Sequence, residues 1–184
     1  MERLRRQRAS HLLAGTTLPR MRWGPENPVC AECGFDWAVP ASSAIDIVAA
    51  CPATYAAALA GVSPRPAAEN GRWSAGMYLW HVVDVLHIGV ERLWTITLDP
   101  DTGIPCWDEN GLAAARNYSM LSIPVGLHAL RQATANWVTT ATTTPQDLTT
   151  RHDLFGELAA IDILRRNAHE VQHHLLDITG RSLS

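Results

Sequence analysis

Apolar residues along the chain recur at helical spacing in four stretches, and nowhere does a sustained strand-like alternation appear. In the last stretch Leu158, Ile161, Leu164, Ala168, Val171, Leu175 and Ile178 return at three- and four-residue steps. This predicts a helix beginning near Phe155, with Gly180 as its stop. Ser42-Ser43 opens a first helix from about Ala44 to Ala60, with Ile45, Val48, Tyr55 and Leu59 inward, and Gly61 to Pro66 breaks it. Ser74 is the natural N-cap of a second helix running to about Leu98. A third is expected from Ile123 to Thr140, followed by a linker from Thr139 to Pro145. Asp99 to Pro105 reads as a turn-rich loop leading to Cys106–Asn110, a segment placed to lie over the end of a bundle. Four long helices without strands predict an all-α, four-helix bundle over residues 42–184, preceded by an N-terminal extension over 1–41. Within that extension the segment up to Arg20 reads as a tail, and Met21 opens a more ordinary chain.

The last helix carries His169, Glu170, His173, His174 and Asp177 in under three turns. Residues four apart on a helix stand about 5–6 Å from one another at Cβ. Two pairs are therefore able to share one cation, His169 with His173 and Glu170 with His174. They occupy the two shoulders of the polar side, and Glu170/His174 lies nearer the apolar face through Ile163 and Ile178. His169/His173 stands as the alternative register, and a solvated polar face as the plain alternative to both. The second helix is apolar around most of its circumference, so its stripe His81, Asp84, His87 and Glu91 needs partners. His81 is the expected third ligand, since bundle metal sites are built from inward side chains on facing helices. A core histidine satisfied by a carboxylate is the competing reading.

Cys30-Ala31-Glu32-Cys33-Gly34 resembles one knuckle of a zinc site. No second C-x-x-C follows, so the other two ligands of a structural zinc would come from Cys51, Cys106 or a histidine; a free thiol pair is the alternative. The chain of 184 residues is 47% hydrophobic and 18% charged, as expected of one globular domain. Its formal charge of -3 offers no basic stripe for nucleic acid. No apolar run approaches the roughly 18 residues of a membrane span. All 15 basic side chains are arginine, which excludes lysine Schiff-base chemistry and suggests a GC-rich genome. Without a convincing secretory signal, the cytoplasm and reduced thiols are expected.

Trp73-Ser74, Tyr78-Leu79-Trp80-His81-Val82-Val83-Asp84, Glu91-Arg92-Leu93 and the run from His169-Glu170 to Asp177-Ile178 resemble the DinB-like superfamily. That superfamily includes YfiT-like metal hydrolases and mycothiol-dependent maleylpyruvate isomerases. The resemblance spans roughly Ser42 to Gly180 and implies a divalent metal held by His81, Glu170 and His174. Glutamate at position 170 is similar to the isomerase branch, and a histidine there is usual in the hydrolase-like branch. Asp84 and Asp177 are the candidate catalytic carboxylates, Asp177 also as an acceptor orienting a ligand imidazole. Two histidines and a carboxylate suit zinc with a position left open, and equally iron or nickel. The implied function is a metal-dependent enzyme that activates a low-molecular-weight thiol of the mycothiol type toward a small electrophile. A metal-hydroxide hydrolase of an ester or amide, a non-enzymatic metal-binding or stress-response bundle, and a dedicated biosynthetic step are the alternatives. Trp73, Trp80, Trp94 and Trp107 are expected near the site, either shaping a pocket for a flat molecule or filling the core. The expected partner is a small-molecule substrate, a homodimer being the one assembly left open.

Overall fold

The computed structural model describes residues 28–63 and 72–180. Its elements are α1 (Ala41–Ala58), α2 (Ala75–Leu98), the short α3 (Glu109–Ala115), α4 (Ile123–Thr143), the strands β1 (Thr149–His152) and β2 (Gly156–Ala159), and α5 (Ala160–Thr179). The proposed tail up to Arg20 and the start at Met21 lie outside the described residues, as do positions 64–66 of the break after α1.

Four long helices make the bundle. Helix α1 packs on α4 and α5, and α2 packs on the same two, so α1 sits diagonally from α2 and α4 from α5. Helix α2 is the most enclosed, with Leu79, Val82, Val83, Leu86, Leu93 and Ile96 all buried. The Ser74 hydroxyl oxygen accepts from the Met77 N–H at 3.3 Å and sets where α2 begins. Gly89 lets α5 approach closely: a Cβ there would stand 2.3 Å from Asn167 Oδ1 and 2.9 Å from Trp137 Nε1. The buried Asn167 is itself held by the Trp137 indole N–H at 2.8 Å, which locks α5 to α4 beside that glycine. Gly180 closes α5 at φ 64°, its N–H donating to the Leu176 carbonyl at 2.7 Å.

Several boundaries differ from expectation. Helix α1 starts at Ala41 rather than Ala44, because Pro40 sits at its N-cap with φ -59°, already set for helix entry. The expected threonine linker is largely the last turns of α4. There the hydroxyls of Thr139, Thr140, Thr142 and Thr143 donate to carbonyls four residues back, at 2.7–3.1 Å, satisfying themselves within the helix. Helix α5 starts at Ala160, not near Phe155, because an antiparallel hairpin precedes it, pairing Thr149 with Ala159 and His152 with Gly156. Strands of four residues are too short to show alternation, and Gly156 at φ 77° supplies the turn. The polar stripe of α2 divides: His81 and Asp84 are buried, whereas His87 and Glu91 face outward. No described helix is long and apolar enough to cross a membrane.

Candidate metal centre

Because α2 and α5 are packing neighbours, His81 faces one shoulder of α5. Nε2 of His81 lies 3.6 Å from Oε2 of Glu170, and Nε2 of His174 lies 3.1 Å from the same oxygen. A tetrahedral ion with bonds of about 2.0–2.2 Å places its donors about 3.3–3.6 Å apart, so this spacing fits a metal. The imidazole of His81 is 1% exposed, and neither of its ring nitrogens makes a hydrogen bond. A buried ring without a partner is the signature of a ligand awaiting its ion. Trp107 stacks on it at 5.6 Å with 3° between planes, and Trp73 meets it edge-on at 5.3 Å. Tyr78 stacks on His174 at 5.3 Å.

Asp177 accepts from Nδ1–H of His174 at 2.9 Å, which leaves Nε2 to face the triad. Asp177 is in turn held by the Arg72 guanidinium at 2.6 Å. Burial works against charge on His174, but Asp177 and Glu170 outweigh it and lift its pKa from 6.5 to about 9. Burial likewise opposes ionisation of Glu170, yet the neighbouring imidazoles of His169, His174 and His81, with His174 in hydrogen-bond contact at 3.1 Å, hold it well below the usual carboxylate range. The site thus demands a cation, and in the metal-free protein the proton on His174 supplies it.

The other shoulder of α5 is equally engaged. Cys30, Cys33, His169 and His173 each offer a ligand atom, all within 4.8 Å of one another, as do His81, Glu170 and His174 in the first group. The two helical registers therefore do not compete; each meets a different partner. Cys51 and Cys106, the other candidates to complete the knuckle, are elsewhere: Cys51 is buried against the Thr134 hydroxyl at 3.2 Å, and Cys106 is exposed. Burial raises the Cys30 thiol, but the N–H groups of Cys33 and Glu32 and the two imidazoles outweigh it and bring it from 9.0 to about 6. Burial and the neighbouring Cys30 push Cys33 up to about 11.

Asp84 has both oxygens taken, one by the Tyr118 hydroxyl and one by the Arg116 guanidinium, so it fastens the α3–α4 connection to α2. Of the four tryptophans expected here, Trp73 and Trp107 flank His81. Trp80 is buried beside Arg116, and Trp94 is 55% exposed on the outer face of α2. A narrow cleft beside Glu170 is lined by Arg92, Trp107, Glu109, Arg166 and Asn167 among others. Sequence reasoning missed the two arginines as site residues. The signal was available: Arg166 is four residues before Glu170, and Arg92 is eleven after His81, three turns along one face. Burial and the nearby Arg166 charge lower the Arg92 pKa.

The sequence model of the DinB superfamily matches residues 2–178. The chain belongs to the DinB superfamily. Among solved structures, YfiT from Bacillus subtilis, described as a probable metal-dependent hydrolase with an unusual four-helix bundle topology, is similar in fold. The identity is 16% and the TM-score 0.67, over 76% of this chain and 84% of that one. No curated protein is matched by the sequence. This DinB-superfamily chain shares the bundle with YfiT, and its diagonal helix order is what places α2 against α5.

Proposed function

We propose that this DinB-superfamily chain is a divalent-metal-dependent enzyme that joins a low-molecular-weight thiol of the mycothiol type to a small anionic electrophile. The observation that carries it is the convergence of His81 Nε2, His174 Nε2 and Glu170 Oε2, with Arg92 and Arg166 lining the cleft beside Glu170. A metal in a two-histidine, one-carboxylate set supplies a lowered pKa to a thiol or water bound at its open position. Zinc suits the set, as do iron and nickel.

The protein's own groups do the rest. Asp177 holds His174 in the tautomer that directs Nε2 at the site. Trp107 and Trp73 cover the His81 ring and keep water from it. Arg92 and Arg166 line the cleft together with Glu109, and their guanidinium groups are the ones there that would pair with an anionic group on the substrate. Glu170 at the ligand position, similar to the isomerase branch, supports the thiol reading. The fold likeness to YfiT supports a second one, hydrolysis of an ester or amide. A cytoplasmic setting, where such thiols are reduced, suits the proposal.

Metal-loaded protein should consume an α,β-unsaturated carboxylate only when thiol is added, and His81→Ala and His174→Ala should lose both the activity and the metal. Ester or amide cleavage without thiol would replace this reading with the hydrolase. Neither activity, with tight metal retention, would leave a binding protein.

A further inference from the structure

We propose that Cys30, Cys33, His169 and His173 bind a second, structural zinc ion that clamps residues 28–40 to the far shoulder of α5. The proposal stands apart from the enzymatic reading, because it uses neither the His81 site nor the cleft.

The backbone around the cysteines is already folded as a zinc knuckle. The Cys30 N–H donates to the Phe35 carbonyl at 2.8 Å, and the Gly34 N–H donates to the Cys30 carbonyl at 2.9 Å. Val29 and Asp36 form an antiparallel bridge across the loop. Gly34 takes φ 73°, a left-handed conformation that residues with a Cβ rarely adopt, and it is what allows the chain to double back around the sulfurs. Half of a tetrahedral site is thus built from the eight residues 29–36 of local structure.

Helix α5 supplies the other half. Its two imidazoles are one turn apart, and the four donor atoms lie within 4.8 Å of one another. Both ring nitrogens of His169 are buried and without a hydrogen bond, a costly state that a bound ion would relieve. His173 turns Nδ1 to the Cys30 sulfur at 3.8 Å and Nε2 to the Glu32 carboxylate at 3.3 Å. A ligating histidine usually donates its second N–H to such a carboxylate. Phe35 and Trp37 enclose the His169 ring at 5.5 and 4.4 Å. Two sulfurs and two nitrogens complete a tetrahedron, so no position is open for substrate and the role is structural.

Beside the cluster, Cys33 and Phe35 are already buried in the core, and polar contacts add to that packing. The Gln172 amide donates to the Cys33 carbonyl at 2.9 Å, and Arg165 Nε donates to the Val39 carbonyl at 3.0 Å. A metal cross-link adds to that packing, and its binding energy becomes folding energy for residues 28–40. Both sulfurs ligate as thiolates, any proton they still carry passing to solvent on binding.

The test is metal stoichiometry and spectroscopy on the full chain. Zinc-reconstituted protein should hold two metal equivalents, falling to one in Cys30→Ser and in Cys33→Ser. Cobalt-substituted wild-type protein should show thiolate-to-metal charge-transfer absorption, lost in those variants and kept in His81→Ala and Glu170→Gln. Should the serine variants fold poorly, titrating wild-type protein with a mercurial provides an independent measure: one of two zinc equivalents should be released as the knuckle thiols react. Unchanged stoichiometry in the cysteine variants, absence of the charge-transfer band, or mercurial titration without zinc release would each overturn the proposal. So would a Cys30–Cys33 disulfide in protein purified without reductant and holding a single metal.

Discussion

Nδ1 of His169 lies 3.8 Å from Oε1 of Glu170, its chain neighbour, and these two side chains belong to different ligand clusters. One helical step of about 100° is enough to send adjacent residues to opposite shoulders. The polar run on α5 is consequently two interleaved pairs, each aimed at its own partner, with Asp177 at their common end. Asp177 Oδ2 is 2.9 Å from His174 Nδ1 and 4.0 Å from His173 Nε2.

Asp177→Asn should weaken metal binding at the His81 site by about 10–100-fold while leaving helix content unchanged, because it removes the charge that orients and strengthens His174. Competition with a chromogenic chelator measures this. Unchanged affinity would mean that Asp177 serves only its ion pair with Arg72.

Gly89→Ala should lower stability by about 1–3 kcal/mol, since the added methyl meets Asn167 and Trp137 where α2, α4 and α5 come together. Thermal unfolding would show it as a fall of about 2–4 °C per kcal/mol. A melting temperature equal to wild type would mean that the helices separate at little energetic cost.

How far the site could be read from the chain depended on which physical signal each part carries. Ser74 marked the start of α2 and Gly180 the end of α5, the two helices that carry the candidate ligands, because caps are local chemistry. His81 stood out because an ionisable ring amid Leu79, Val82 and Val83 must be buried. The resemblance then supplied the pairing of His81 with Glu170 and His174, which a helical wheel leaves open. What the wheel also left open was the use of the second pair, since it displays shoulders and not the elements that pack on them. The β1–β2 hairpin was hidden by its length, and the threonine tract of α4 by a composition that usually marks linkers.

His152 is buried, and its Nδ1 accepts the Leu154 N–H at 3.0 Å. Burial, with the charges of Arg92 and Arg166, lowers its pKa from 6.5 to about 4. Between those values the unfolded chain binds a proton that the folded chain does not, so stability falls as pH drops from about 6.5 to about 4. Above that window the group has no effect. Asparagine at this position keeps an acceptor for the Leu154 N–H and removes the titration. Urea unfolding at several pH values should show a shallower acid slope for His152→Asn than for wild type, all metal ligands being common to both. Parallel slopes would remove His152 from the account.

Arg92→Leu should raise KM for an anionic substrate several-fold and leave metal content untouched, because the guanidinium lines the cleft and is not a ligand. A neutral analogue should be affected much less. Equal effects on both would assign Arg92 to holding the Pro105 carbonyl, which it reaches at 3.3 Å.

Anomalous diffraction at the metal edge, from crystals of the metal-loaded chain, addresses the central claim most directly. A peak is expected about 2.0–2.2 Å from Nε2 of His81, Nε2 of His174 and an oxygen of Glu170. A fully loaded crystal with no peak among those three side chains, and the His81 ring hydrogen-bonded to protein alone, would contradict it.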